Sequence, residues 1–389
     1  MSDLGSGGAA DYTINRLGDK YVATPRHGFD YIKNTSLNQV WLDINSEVGR
    51  GPVVEFGAST NAVPFVVDAS LEVEYSSTVI RGQSPGATVL KLGSAVDDDI
   101  IKNSGTTFYR NSRIERLTLD GNRDNNTLGR GIEWDVANAT GGNPPEFWEM
   151  LSVDKVLVTE CDQEGIYIKT DNGVLATINL GDCRVWDCDG AATGGYQIYI
   201  ERVFDSWIGG KKFMTSSMRL KTVSTSHIFD LYIAGGVNNL LQIDGGASDY
   251  NASGNIFTNC RIDNALGTAI LLADYAYRNQ FIGCTITNMS QSAATNTYPA
   301  IYADGNAYAN RFVGCWIGHD KIVNTDRWTY AFEENIDSYT QLLATGAGYG
   351  EVLSSGNVEH FTQNEYLLNG ATTTIGTDCL KDNGVAWNA

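Results

Sequence analysis

Two acidic side chains, Glu133 and Asp135, stand two residues apart in the run Gly131-Ile132-Glu133-Trp134-Asp135 and are the first candidates for chemistry in this 389-residue chain. Ile132 and Trp134 alternate with them. In an extended strand both carboxyls then leave the same face, about 6.5 Å apart at Cα from the strand rise. A related run, Gln197-Ile198-Tyr199-Ile200-Glu201, supplies a third carboxylate, Glu201. Glycoside hydrolysis needs two carboxyl groups, one protonated and one ionised, separated by about 5 Å for retention and roughly 6.5 to 9.5 Å for inversion. Like-charge proximity raises the pKa of one member and makes it the acid. Glu133, Asp135 and Glu201 are therefore the candidate catalytic residues.

The positions around them suit a saccharide. Tyr167 and Lys169 occupy the same places in Gly165-Ile166-Tyr167-Ile168-Lys169 as Glu133 and Asp135 do in theirs, and Arg219 and Lys221 do so in Met218-Arg219-Leu220-Lys221. Aromatic faces pack on the apolar side of a sugar ring and charged groups take hydroxyls or uronates, so Tyr167, Lys169, Tyr199, Arg219 and Lys221 are candidate substrate-binding residues. Trp148 joins them from the Gly/Pro-containing segment 136–150, because loops on a rigid scaffold concentrate binding residues. The same cations would serve β-elimination, in which a base removes the proton beside a uronate and a cation stabilises the charge that develops. Hydrolysis is the favoured reading and elimination the alternative.

No cofactor or metal site is expected. Asp244, Asp274 and Asp304 resemble a calcium ladder, but Asp is favoured at turns for its local hydrogen bonds, and that structural reading is preferred. Seven cysteines, with Cys183 and Cys188 five apart and no histidine nearby, do not match zinc spacing and read as small buried hydrophobes. The four histidines fall in unrelated segments, which disfavours a Ser/His/Asp mechanism.

A repeat positions these residues. Asn255-Ile256-Phe257-Thr258-Asn259-Cys260-Arg261-Ile262 recurs from Asn279 and from Asn310, with Phe281 and Cys284, then Phe312 and Cys315, in the equivalent places. Weaker relatives run through 112–119, 178–185 and 226–233. Between copies lie short alternating strands whose inward residues Ile132, Ile166, Ile198, Met218, Leu241, Ile270, Ile301 and Ala331 are separated by 20 to 34 residues. Such steps are too short for a strand plus a long crossover helix, so each turn consists of strands and loops, and neighbouring turns stack to bury a continuous core. The architecture that fits is all-β: a right-handed parallel β-helix of about eight or more coils, its hand taken from the general rule for parallel crossovers. Equivalent residues then form ladders about 4.8 Å apart. Phenylalanine, cysteine and asparagine ladders are expected inside. Outside, one column holds Glu133, Tyr167, Tyr199, Arg219, Gln242, Leu271 and Tyr302, and the next holds Asp135, Lys169, Glu201, Lys221, Asp244, Ala273 and Asp304. Glu133, Asp135 and Glu201 are expected to line one groove floored by Tyr167 and Tyr199.

The repeats, together with Val79-Ile80-Arg81-Gly82-Gln83-Ser84-Pro85-Gly86-Ala87-Thr88-Val89-Leu90-Lys91-Leu92 and Ile114-Glu115-Arg116-Leu117-Thr118-Leu119-Asp120-Gly121-Asn122, resemble the pectate-lyase-like β-helix superfamily, especially its bacteriophage tailspike and depolymerase branch. The likeness covers about residues 51–335. It implies a β-helix that acts on or binds bacterial surface polysaccharide, carried on a virion and assembled as a homotrimer. The Asp-rich helical segment that often precedes the first strand in that superfamily is not evident here, and Tyr12 to Ile44 shows no long periodic run. Reaction type does not follow from the fold. A non-catalytic virion spike, fibre or decoration protein for host-glycan attachment, and a cellular pectin- or alginate-active enzyme, are the alternatives.

The chain divides on pattern into an N-terminal arm or cap (1–50), the β-helix (51–335) and a C-terminal β extension (336–389) that could oligomerise, with the N-terminal region available to other virion proteins. A net charge of −19 argues against nucleic acid, which needs a concentrated positive surface. No run of 18 apolar residues exists, so membrane insertion is not expected. The first ten residues lack the basic and apolar regions of a signal peptide, and the expected location is virion-borne or extracellular.

Overall fold

The computed structural model describes residues 10–26, 28–103, 110–136, 149–170, 177–189, 195–235, 239–246, 251–287, 299–303, 307, 310–317, 321–324, 330–333, 342–344, 366–368 and 371–373. The chain forms two units, residues 1–197 and 198–389.

Unit 1 begins with an antiparallel strand pair. Tyr12–Leu17 pairs antiparallel with Lys20–Pro25 and parallel with Val53–Phe56, the first strand of the solenoid. Between them lies a 12-residue α-helix, Leu37–Val48, which begins within the stretch expected to lack a long periodic run and is not Asp-rich. Its causes are local. Ser36 accepts the Gln39 backbone N–H (3.0 Å), as an N-cap should, and Gly49 closes the C-terminus in the left-handed region (φ 61°) with its N–H on the Asn45 carbonyl. Leu37, Val40, Trp41 and Ile44 form the buried stripe, and the Trp41 indole N–H reaches the Glu72 carbonyl (2.7 Å). These four positions follow the i, i+3, i+4, i+7 spacing of a one-sided helix.

Each coil then carries three short parallel strands. In unit 1, sheet 1 runs through Val53–Phe56, Val79–Arg81, Ser112–Glu115, Glu149–Asp154 and Thr177–Gly181. Sheet 2 runs through Phe65–Val67, Val89–Leu92, Thr118–Asp120, Leu157–Thr159 and Arg184–Trp186. Sheet 3 holds Leu71–Val73, Ile101–Asn103, Ile132–Asp135 and Ile166–Lys169. This is the right-handed parallel β-helix expected from the repeat, and it starts two coils earlier than the Ile132 column suggested. Ile132 pairs with Ile101 and Ile166, and Glu133 with Lys102 and Tyr167.

Unit 2 repeats the plan. Its sheet 1 includes Trp207–Gly209, His227–Phe229, Ile256–Thr258, Gln280–Ile282 and Arg311–Val313. Its sheet 2 includes Met214–Thr215, Tyr232–Ala234, Arg261–Asp263, Thr285–Thr287 and Trp316–Ile317. Its sheet 3 includes Ile198–Glu201, Met218–Lys221, Asn239–Asp244, Thr268–Ala273 and Pro299–Ala303. The turn from sheet 1 to sheet 2 passes through one left-handed residue: Asp230 (φ 50°), Asn259 (54°), Gly283 (62°) and Gly314 (58°) in successive coils. Asn and Asp tolerate that region better than other non-glycine residues, which is why the turn accepts all three types.

The internal ladders are as expected. Phe257, Phe281 and Phe312 are buried, with ring centroids 4.4 and 4.5 Å apart and planes within 10° of parallel. Cys260, Cys284 and Cys315 form another ladder, each thiol directed at a backbone carbonyl of the preceding coil. All six described cysteines are buried free thiols, and burial pushes the Cys183 thiol up to about 12 against the lowering effect of its backbone hydrogen bonds. The Asn279 side-chain oxygen accepts both the backbone N–H (3.2 Å) and the side-chain amide (2.8 Å) of Asn255, and Asn310 does the same for Asn279. Their amides also donate to the Val223, Ala252 and Ala276 carbonyls. Turn groups that the sheets leave unpaired are satisfied in this way. Among the described residues no helix is long and apolar enough to cross a membrane.

Candidate functional site

Sheet 3 of unit 1 presents the first cluster. The strand Ile132–Asp135 buries Ile132 and Trp134 and turns Glu133 and Asp135 to the outer face, as alternation requires. Glu133 sits between its register partners Lys102 and Tyr167, and Asp135 beside Lys169. Arg130, two residues before the strand, organises the group. Its guanidinium donates from Nη1 to Glu133 (2.9 Å) and from Nε to Glu164 (2.7 Å), and lies 4.3 Å from the Tyr167 ring centroid. Its backbone N–H donates to Asp99 (2.7 Å), and the Asp99 carboxyl is hydrogen-bonded to Glu133. Glu164 is fully buried, and one of its oxygens has no partner. Lys102 completes the rim, donating to Asp98 and lying 3.5 Å from Glu72.

Electrostatics single out one member. The Glu133 carboxyl is pushed up from the usual 4.5 to about 8. Burial is the largest cause, followed by the hydrogen bond to Asp99 and the Asp99 charge. Arg130 opposes the shift and Asp135 adds to it. A carboxylic acid that stays protonated at neutral pH next to an ionisable carboxylate on the same strand is the arrangement a general acid needs.

Sheet 3 of unit 2 presents the second cluster. Glu201 accepts the Tyr199 hydroxyl (2.6 Å) and lies 3.0 Å from the Lys221 ammonium. Arg219 holds Asp244 with two parallel bonds, Nε to Oδ1 (3.0 Å) and Nη2 to Oδ2 (2.7 Å), and its guanidinium lies 5.8 Å from the Tyr199 ring centroid. The register Tyr199–Arg219–Gln242–Leu271 and Glu201–Lys221–Asp244–Ala273 agrees with the columns read from sequence.

Several expectations are corrected here. Tyr199 and Glu201 were read as exposed, yet they are 6% and 4% exposed, because the long cations of the following coil lie across them. Asp244 pairs with Ala273, so Asp274 stands one residue off the supposed aspartate ladder, at a left-handed turn position (φ 41°), and Asp304 falls outside the described residues. Trp148 and most of its loop also lie outside them. Of the candidate residues, Glu133, Asp135, Tyr167 and Lys169 belong to unit 1, and Tyr199, Glu201, Arg219 and Lys221 belong to unit 2. Sequence reading missed Asp99, Arg130 and Glu164. Each precedes an inward isoleucine (Ile101, Ile132, Ile166) by two residues, so the repeat register carried a signal for them.

No family model matches the chain, and no curated protein matches its sequence. Among solved structures, the chain is similar to the A-module of the Azotobacter vinelandii mannuronan C-5 epimerase AlgE6 at 14% identity and a TM-score of 0.49, covering 85% of this chain and 94% of that one. It is similar to tailspike protein 2 from an Escherichia coli O157:H7 bacteriophage at 11% identity and a TM-score of 0.47, covering 85% of this chain and 44% of that one. The Dettilon tailspike protein gives 12% identity, a TM-score of 0.41, and coverage of 85% and 67%. The chain thus spans less than half the length of the first of these tailspikes. Identities this low concern backbone alone, and the chemistry of the site rests on this chain's own residues.

Proposed function

We propose that this protein is a polysaccharide-active β-helix, carried on a virion or acting outside the cell, that cleaves bacterial surface glycans by glycoside hydrolysis. The observation that carries the reading is the Glu133 carboxyl, raised to about 8 beside Asp135 on one outward strand face. In this scheme Glu133 donates its proton to the glycosidic oxygen as the bond to the anomeric carbon breaks. Asp135 takes the proton of the water that attacks that carbon, or attacks it directly, according to the separation of the two carboxyls. Arg130 orients Glu133 without neutralising it, because Arg130 is itself anchored on buried Glu164. Tyr167 supplies an aromatic edge for the sugar, and Lys169 faces Asp135 across the register. β-Elimination fits less well, since a carboxyl held protonated is a poor base at neutral pH.

The cluster of unit 2 favours a binding role. Both oxygens of Glu201 are engaged and Arg219 is clamped on Asp244, so these groups form a rigid polar platform. The reading is tested by incubating wild type with a panel of capsular and cell-wall polysaccharides and analysing products, then repeating with Glu133→Gln and Asp135→Asn. Turnover should fall by about 10²- to 10⁴-fold in Glu133→Gln with glycan binding retained. Unaltered cleavage in both variants would move the active site elsewhere. Tight binding by a wild type that cleaves nothing would make the protein a non-catalytic attachment spike.

A further inference from the structure

Sheet 2 of unit 2 carries a second recessed surface, away from the sheet 3 strands. Most turns from sheet 1 to sheet 2 in this unit spend two residues, as Asp230-Leu231 do between Phe229 and Tyr232. The turn after Trp207–Gly209 spends four, Gly210 to Phe213, before Met214. Its path is built in. Gly209 and Gly210 adopt φ of 145° and 140°, and a Cβ on Gly209 would run into the Phe229 carbonyl oxygen. Gly210 donates to that same carbonyl (3.1 Å), and Phe213 donates to Gly210 (2.9 Å). The two extra residues put Lys211 and Lys212 at the tip. Beneath lies a hollow of about 390 Å³ lined by Lys211, Asp230, Leu231, Tyr232, Asn259 and Arg261, at the small end of the range for ligand pockets.

The lining is chemically specific. Arg261 is fixed by Asp263 (2.7 Å, itself buried) and by the Tyr232 ring, 5.2 Å from its guanidinium carbon. Asp263 is the one acceptor for that guanidinium among the described residues, so the other N–H groups face the hollow or solvent. Lys211 is exposed and has no carboxylate partner among the described residues. Asp230 accepts the Asn259 amide (2.6 Å) and lines the hollow as a carboxylate that can accept further hydrogen bonds. Lys211 and the Arg261 N–H groups not used by Asp263 are the donors this surface can offer to an anionic group. The exposed column of the same sheet continues Tyr232–Arg261–Thr285–Trp316, with Trp316 59% exposed. The two aromatic ends stand three coils apart, about 14 Å.

We propose that this surface is a saccharide-binding site for an acidic glycan, separate from the sheet 3 cluster. A uronate carboxylate would sit between Lys211 and Arg261, hydroxyls on Asp230 and Asn259, and flanking sugar rings against Tyr232 and Trp316. The inference shares with the proposed function the premise that the protein handles polysaccharide, but it does not depend on cleavage. An ancillary site of this kind would hold an acidic polymer along the sheet 2 column of unit 2.

The test is calorimetric titration of the full-length chain with oligogalacturonate and oligomannuronate, with the same oligomers after carboxyl reduction, and with inorganic phosphate. Uronate oligomers should bind and their reduced counterparts should not. Lys211→Ala and Arg261→Gln, both at exposed positions, should each weaken uronate binding by about tenfold or more, as expected for loss of a charge-assisted contact. Glu133→Gln should bind as wild type does. No binding of either uronate oligomer, equal binding of the reduced oligomers, or wild-type affinity in both cation variants would overturn the proposal. Phosphate matching the oligouronates would overturn it too, because the surface would then be an anion patch without sugar recognition. Cleavage assays on Lys211→Ala separate this from the proposed function: loss of uronate binding with cleavage intact supports this site, and loss of cleavage in Glu133→Gln alone concerns only the other.

Discussion

Replacing Glu133 by Gln tests the electrostatics of the sheet 3 cluster without any knowledge of the substrate. The amide is nearly isosteric with the protonated carboxyl, can donate to Asp99 and accept from Arg130, and stays neutral at every pH. In wild type the folded-state pKa of about 8 lies above the ordinary 4.5. Below pH 4.5 the group is protonated in folded and unfolded chains alike and favours neither. As pH rises, the unfolded chain releases the proton while the folded chain keeps it, so stability falls through the window from about 4.5 to 8 and then levels off. A shift of 3.5 units corresponds to about 5 kcal/mol at full value. With the side chain still 23% exposed, solvent screening reduces this, and about 2 kcal/mol is expected. At about 2.1 cal/mol/K of unfolding entropy per residue, a 389-residue chain shifts by roughly 1 °C per kcal/mol, so the melting temperature of wild type should fall relative to Glu133→Gln by about 2 to 3 °C between pH 4.5 and 8.5. Thermal unfolding of both proteins at one fixed scan rate across that range measures it. Parallel curves would show that Glu133 is an ordinary carboxylate and would remove the general-acid assignment with it.

Asn279→Ala should withdraw the acceptor of the Asn255 backbone N–H and the donor to the Ala252 carbonyl. Two buried orphans at about 1 to 3 kcal/mol each predict a loss of about 2 to 6 kcal/mol, read by denaturant unfolding. Arg130→Met should leave Glu164 buried and unpaired, costing about 3 to 5 kcal/mol, whereas the double variant with Glu164→Gln should recover much of that loss. A wild-type-like Arg130→Met would deny that Arg130 anchors the cluster. Light scattering should return a multiple of 42.2 kDa, three chains being the expectation from the tailspike resemblance, and a monomer would refute it.

The residue pattern alone was enough to specify the solenoid. Alternation sets which face of a strand is buried, and the spacing of equivalent isoleucines, phenylalanines, cysteines and asparagines sets the register, so the columns Glu133–Tyr167 and Tyr199–Arg219 could be written before any coordinates existed. The capped helix Leu37–Val48 was not foreseen, although Ser36, Gly49 and the Leu37/Val40/Trp41/Ile44 stripe carry its local signal, because the pattern is only three turns long. Tertiary structure decided what the outward residues do. Lys221 and the Arg219 guanidinium fold back over Glu201 and Tyr199 and bury them, because a long side chain can cover its neighbour in the next coil or extend into solvent, and strand periodicity does not distinguish the two. The Glu133 carboxyl holds its proton mainly because it is buried, and then because of Asp99, 34 residues away in sequence. Desolvation and charge act through space at distances of a few ångströms. The repeat fixes which residues share a ladder, while their separation, exposure and protonation depend on how the side chains of adjacent coils settle against one another.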